Sequence, residues 1–223
     1  MTVLLKQSAL AFLITSLIFV IGYTRYASSE AEILTVTVSA TLSFSASTDN
    51  FSSLSPGTAK FATTTLNVST NNTAGWNMTL YGDDQSPTNT VCDLDGAGND
   101  GVSITDQTEW IPGVATTTAG NAVRISALDN SGDVLAFRTM TASGSIPFRA
   151  STWWGSADDY ADNANTLWVG IASSTIQRRI GNAGAGSYSA SAHLNTVLYY
   201  LDVPATQQSG NYSCPLTFTA TAN

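Results

Sequence analysis

The chain predicts an all-β fold: an antiparallel β-sandwich, Ig-like or jelly-roll-like, preceded by one hydrophobic amino-terminal helix that acts as signal or anchor. Three observations carry this expectation. Apolar residues recur with period 2 and, after the first thirty or so residues, nowhere with the 3.6 period of a long helix. Turn residues interrupt the alternating stretches at short intervals, which suits hairpins and leaves no room for the helical crossovers of a parallel sheet. The polar positions of those stretches carry hydroxyls, Ser and Thr making up roughly a quarter of the chain, far above ordinary usage.

The elements follow in order. From Ala9 to Tyr23 runs the apolar stretch ALAFLITSLIFVIGY, short of the roughly 20 residues that span a bilayer but suited to the hydrophobic region of a secretory signal. Lys6 precedes it, and small residues at Ala27, Ser29 and Ala31 supply the spacing for cleavage after Ser29 or Ala31. An uncleaved anchor is the alternative, favoured by Leu4, Leu5 and Arg25. Both readings put the remainder outside the cytoplasm, giving residues 1–31 as signal or anchor and 32–223 as one β-domain.

Ile33 to Ala46 alternates strictly, with Leu34, Val36, Val38, Ala40, Leu42, Phe44 and Ala46 on one face. Leu54-Ser55-Pro56-Gly57 signals a turn, Thr63–Ser69 a second strand, and Asn71–Gly75 a turn into Trp76–Leu80, so these two strands read as a hairpin. Long loops are expected around 82–120 and 151–165, with one helical turn in Asp158–Asn165. Strands resume at Ala122–Ser126, Val134–Arg138, Ser145–Ala150 and Thr166–Ile171, and Gly181–Ser187 is a flexible connection. The closing strands are Leu194–Val203 and Asn211–Ala222. Pro215 in the last lacks an N–H and calls for an edge or a bulge.

Charge narrows the partners. The chain carries 8 Lys+Arg against 16 Asp+Glu, a net charge of −8. Cleavage after Ser29 removes two of the basic residues, Lys6 and Arg25, and makes the balance more acidic. Such a surface repels nucleic acid phosphates and anionic headgroups, so no nucleic acid is expected, and membrane contact only through an uncleaved amino-terminal segment. Cys92 and Cys214 are the only cysteines; in an exported chain they read as one disulfide closing a loop of more than a hundred residues, worth about 4–5 kcal/mol in the idealised case. Asn50, Asn67, Asn71, Asn77 and Asn211 each head an N-x-Ser/Thr triplet, common by chance in so hydroxyl-rich a chain.

Catalytic patterns are missing from the sequence. His193 is the only histidine, and Gly184-Ala185-Gly186-Ser187-Tyr188 breaks the nucleophile-elbow spacing. Glu109 stands alone as a glutamate in the body of the domain, and no phosphate-cradling loop with a lysine exists. The expectation is a protein that is not an enzyme and needs no cofactor, with calcium as the one candidate. Asp93, Asp95, Asn99 and Asp100, set among Gly96, Gly98 and Gly101, offer oxygen ligands on a pliable backbone; Ala97 stands where a further ligand belongs, and a solvated turn accounts for the same residues. Trp153, Trp154, Tyr160 and Asp162 offer flat faces beside polar groups, the chemistry of a sugar platform. A tryptophan plugging the core explains them equally.

The segment Asp202–Asn223, with its Pro204 lead, Gly210-Asn211-Tyr212 turn and Thr-rich strand, resembles the terminal hairpin of many bacterial surface β-sandwich modules. Leu54-Ser55-Pro56-Gly57 is similar to the opening of the same broad group, which includes fimbrial and coat-type subunits. The likeness covers about a third of the chain, and it implies an extracytoplasmic structural or adhesive role without catalysis. The expected partners are therefore a cell-surface protein or glycan. Two alternatives stand beside this: a carbohydrate-binding module using the Trp153/Trp154 loop, and a filament subunit that self-assembles by donating the 33–46 strand into a neighbour's sheet.

Overall fold

The computed structural model describes residues 38–48, 50–82, 94–96, 99–113, 120–128, 134–140, 151–157, 160–173, 175–183 and 189–223. Ser39–Asn223 forms one compact unit. The fold is mostly antiparallel β, as the period-2 pattern predicts. Ten strands are described: β1 (Leu42–Thr48), β2 (Ala59–Thr70), β3 (Trp76–Gly82), β4 (Leu94–Gly96), β5 (Asn99–Ile104), β6 (Val134–Thr139), β7 (Arg178–Ala183), β8 (Ser189–Asp202), β9 (Tyr212–Ser213) and β10 (Leu216–Ala222). They form a four-stranded sheet β1-β2-β8-β6, a three-stranded sheet β10-β3-β7 and a small sheet β5-β4-β9. Every pairing between these strands is antiparallel.

Alternation decides which residues of each strand are buried. Along β2 the buried positions are Ala62, Thr64, Leu66, Val68 and Thr70, and along β3 they are Trp76, Met78, Leu80 and Gly82. Leu66, Val68, Val197 and Tyr199 of the first sheet share one cluster with Trp76, Met78, Leu80 and Ile180 of the second. Along β1 and β2 the opposite face is polar, Ser43 pairing with Ser69, Ser45 with Asn67 and Ser47 with Thr65 on the first sheet. On the second, Thr217 pairs with Tyr81, Thr219 with Thr79 and Thr221 with Asn77.

Strand β6 is buried along its whole length. Leu135 and Phe137 join the main cluster, while Val134 and Ala136 join a second one with Leu128, Trp168, Leu198 and Tyr200. A strand covered on both faces loses its alternation, which is why VLAFR reads as a plain apolar run.

Several expectations are corrected. β2 and β3 are not a hairpin: β2 pairs with β1 and β8, and β3 with β10 and β7, so Asn71–Gly75 carries the chain from one sheet to the other. Residues of both strands share one core cluster, which spacing alone does not distinguish from pairing. In the alternating stretch Ile33–Ala46, the strand begins only at Leu42, residues 38–41 carry no strand, and 33–37 lie outside the described residues. The region 82–120 is not all loop, since β4 and β5 fall within it. Among the described residues, helical turns sit at Ile125–Ala127, a 3-10 turn, and at Ser151–Trp154, and residues 160–165 form none. Ala122–Ser126 and Thr166–Ile171 form isolated bridges, Val123 with Trp168 among them, in place of strands. Gly181–Ala183 belongs to β7, and Ser145–Ala150 lies outside the described residues.

The two lateral sides of the paired sheets differ. On one, residues 169–173 bridge Val169 to Phe137 of β6, Gly170 to Glu109 and Ser173 to Gly82 of β3. On the other, β1 and β10 are terminal strands of their sheets. β10 follows a break at Cys214-Pro215 and sits at an edge, where a residue without an N–H costs no ladder bond.

Candidate functional site

Trp153 and Trp154 occupy the helical turn Ser151–Trp154 and are each only 4% exposed. Trp110 lies against both, with ring centroids 5.6 Å from Trp153 and 5.0 Å from Trp154, and Phe137 lies 5.8 Å from Trp154. Edge-on and tilted rings at such separations pack favourably. Their faces are spent on one another inside the main core, so the sugar platform expected of them is not formed. Gly155 follows with φ +81°, and a Cβ there would meet the Asn165 carbonyl oxygen at 2.0 Å; only glycine lets the two segments approach this closely.

Tyr160 and Asp162 go elsewhere. Tyr160 is 49% exposed and stacks 4.9 Å from Phe61, which in turn borders Trp168 and Tyr200 of the second cluster. Asp162 Oδ1 accepts the Ser126 N–H at 3.0 Å. Tyr200 donates to Asp202 Oδ2 at 3.2 Å; burial first, then the charges of Asp202 and Asp162 and that hydrogen bond, push its phenol up to about 12.

Arg138 on β6 organises the segment that holds the tryptophans. Its side chain is fully buried, and Nη2 donates to the carbonyls of Trp154 at 2.7 Å and Ala157 at 2.8 Å. The guanidinium lies 5.8 Å from the Trp168 ring centre, within cation–π range. Arginine's planar fork of donors and weak hydration suit it to this buried post better than lysine. The sequence did carry a trace of the role: one charge ending an otherwise apolar strand.

Two carboxylates also hold backbone. Asp106 Oδ2 accepts the Ile171 N–H at 2.9 Å, and Glu109 Oε1 accepts the Ser173 N–H at 2.8 Å. Glu109, the lone glutamate in the body of the domain, therefore has a structural partner. His193 packs edge-on against Trp76, 5.8 Å between ring centres.

Of the candidate calcium ligands, Asp95 lies on β4 and Asn99 and Asp100 on β5, an antiparallel pair in which Gly96 opposes Asn99. Asp93 lies outside the described residues. Among the described residues, no group of three or more His, Cys, Asp or Glu side chains is arranged to hold a metal ion. Cys214 is disulfide-bonded. The chain has one other cysteine, Cys92, outside the described residues.

Sequence reasoning gave no sign of a cleft of about 640 Å³ that opens beside β1, β9 and β10. Its floor is the buried Ala62, Thr64, Leu135 and Tyr199. Half-buried Phe51, Tyr212 and Phe218 form its walls, and exposed Asn50, Ser52 and Ser213 its rim. Residues so far apart in sequence leave no local pattern.

No family model matches the chain, and no curated protein matches it either.

Proposed function

We propose that this protein is an exported, non-enzymatic β-sandwich that serves at the cell surface as a structural or adhesive subunit. The observation that carries the reading is the pair of hydroxyl and amide ladders on β1–β2 and β10–β3, one on each sheet, over a core the two sheets share. Faces that are polar without being ionic offer many hydrogen-bonding groups to a neighbouring protein or glycan, and they resist salt because little of the contact is Coulombic. Further support comes from the disulfide at Cys214, a bond that persists in oxidising compartments. The apolar Ala9–Tyr23 stretch suits export.

Among the described residues no helix is long and apolar enough to cross a membrane, and Ala9–Tyr23 lies outside them. Donation of the whole 33–46 strand is not part of the reading, because Leu42–Ala46 pairs with Leu66–Thr70 of the same chain. Localisation tests the proposal. Antibody labelling of intact native cells should stain the surface, and a protease added outside should remove the signal; protection from that protease until the cells are lysed would refute it.

A further inference from the structure

We propose that the cleft beside β1, β9 and β10 is a binding site for an uncharged small molecule with an apolar body and a hydrogen-bonding head. Its volume of about 640 Å³ falls within the roughly 300–1,000 Å³ of sites that enclose drug-sized ligands. The chemistry is graded from floor to mouth. Ala62, Leu135 and the ring of Tyr199 make a mainly apolar floor that also holds the buried Thr64, aromatic rings at Phe51, Tyr212 and Phe218 make the walls, and amide and hydroxyl groups at Asn50, Ser52 and Ser213 make the rim. A ligand seated there buries its body against rings and keeps its head at the mouth.

Charge selects against ions. Among the described residues, no acidic or basic side chain lines the cleft. A charged ligand would lose its hydration and find no opposite charge in return. Flat or branched hydrocarbon bodies fit best, because aromatic walls gain most from large contact areas.

The walls are held in place before any ligand arrives. Lys60 Nζ donates to the Phe51 carbonyl at 2.5 Å, fixing the loop that carries that ring. The Tyr212 hydroxyl donates to the Gln208 carbonyl at 2.8 Å, and the disulfide at Cys214 anchors the chain two residues further on. Ser52 at the rim is the one described non-glycine residue with positive φ, +61°. Strain of that kind persists only where the surroundings impose it, and it clusters at ligand sites. Prior ordering of this sort removes part of the entropic cost of binding. The cleft stands independently of the surface role, since neither hydroxyl ladder lines it.

Fluorescence titration of the full chain with the neutral probe N-phenyl-1-naphthylamine tests the assignment. One saturating phase with enhanced, blue-shifted emission is expected. Ala46→Trp, which fills the mouth from β1, and Phe51→Ala, which removes a wall, should each weaken it at least tenfold. Leu194→Ala, outside the cleft, should bind as the parent does. Circular dichroism identifies variants that fold, and Ser213→Trp at the exposed rim serves if the other two do not. Non-saturating binding, unchanged affinity in a folded filling variant, or equal affinity for the anionic 1-anilinonaphthalene-8-sulfonate would overturn the proposal. So would displacement of the probe by an uncharged extended peptide with alternating apolar residues and not by neutral hydrocarbons, which would make the cleft an acceptor for a strand.

Discussion

Single side chains in this protein work mainly on backbone. Arg138, Asp106, Glu109 and Asp162 each bind a main-chain group of a segment that lacks regular pairing. The reason is general: irregular chain placed against a core still needs partners for its N–H and C=O groups. Arg138 is the clearest case, because its two carbonyl contacts join residues on either side of Gly155. Arg138→Met keeps most of the volume but removes both charge-assisted bonds. The Trp154 carbonyl retains the Leu167 N–H at 3.1 Å, whereas that of Ala157 loses its buried donor. A loss of about 2–3 kcal/mol is expected, measured as a lower urea midpoint with an unchanged slope. A midpoint within error of the parent would show that the guanidinium contributes nothing there.

At the scale of elements, β8 is the central support. It lies between β2 and β6, and its consecutive Tyr199 and Tyr200 enter the two different clusters. Burial pushes both phenols above their ordinary value of 10.0, the Thr64 side chain opposing the shift at Tyr199 and the Asp202 and Asp162 carboxylates reinforcing it at Tyr200. A raised pKa means that the unfolded chain releases the proton first as pH rises. The stabilisation is complete below pH 10 and is lost as pH climbs through about 12. Thermal unfolding midpoints should therefore fall between pH 10 and 12, and Tyr200→Phe should make that fall shallower. Identical alkaline profiles for parent and variant would refute the assignment. The alternation of β2, β3 and β10 was legible in the sequence, as was the edge position around Pro215, because each depends on neighbours within a few residues. The wrong hairpin arose at the same scale: a five-residue turn joins strands equally well within a sheet or across a core.

For the whole molecule, residues 169–173 tie β6 to the end of β3 on one side, while the terminal strands β1 and β10 lie on the other. The cleft crosses the four-stranded sheet from Ala46 of β1 through Ala62 and Tyr199 to Leu135 of β6. The disulfide at Cys214 lies between β9 and β10. Cys214→Ser should lower stability by about 2–5 kcal/mol, read as a drop in the thermal midpoint, and a reductant should produce a comparable drop in the parent. A midpoint insensitive to both changes would show that the bond is not part of what stabilises the domain.

The amino-acid sequence by itself determined the β class, the antiparallel sense and the faces that turn inward, because period-2 alternation is a local property and burial acts on it directly. Tertiary structure alone decided which strands share a sheet, that Trp153 and Trp154 fill the core while Tyr160 and Asp162 sit apart, and that a cleft opens beside β1 and β10. These are contacts between residues up to about 170 positions apart, made by whichever faces meet when the sheets close, and short-range pattern holds no record of them.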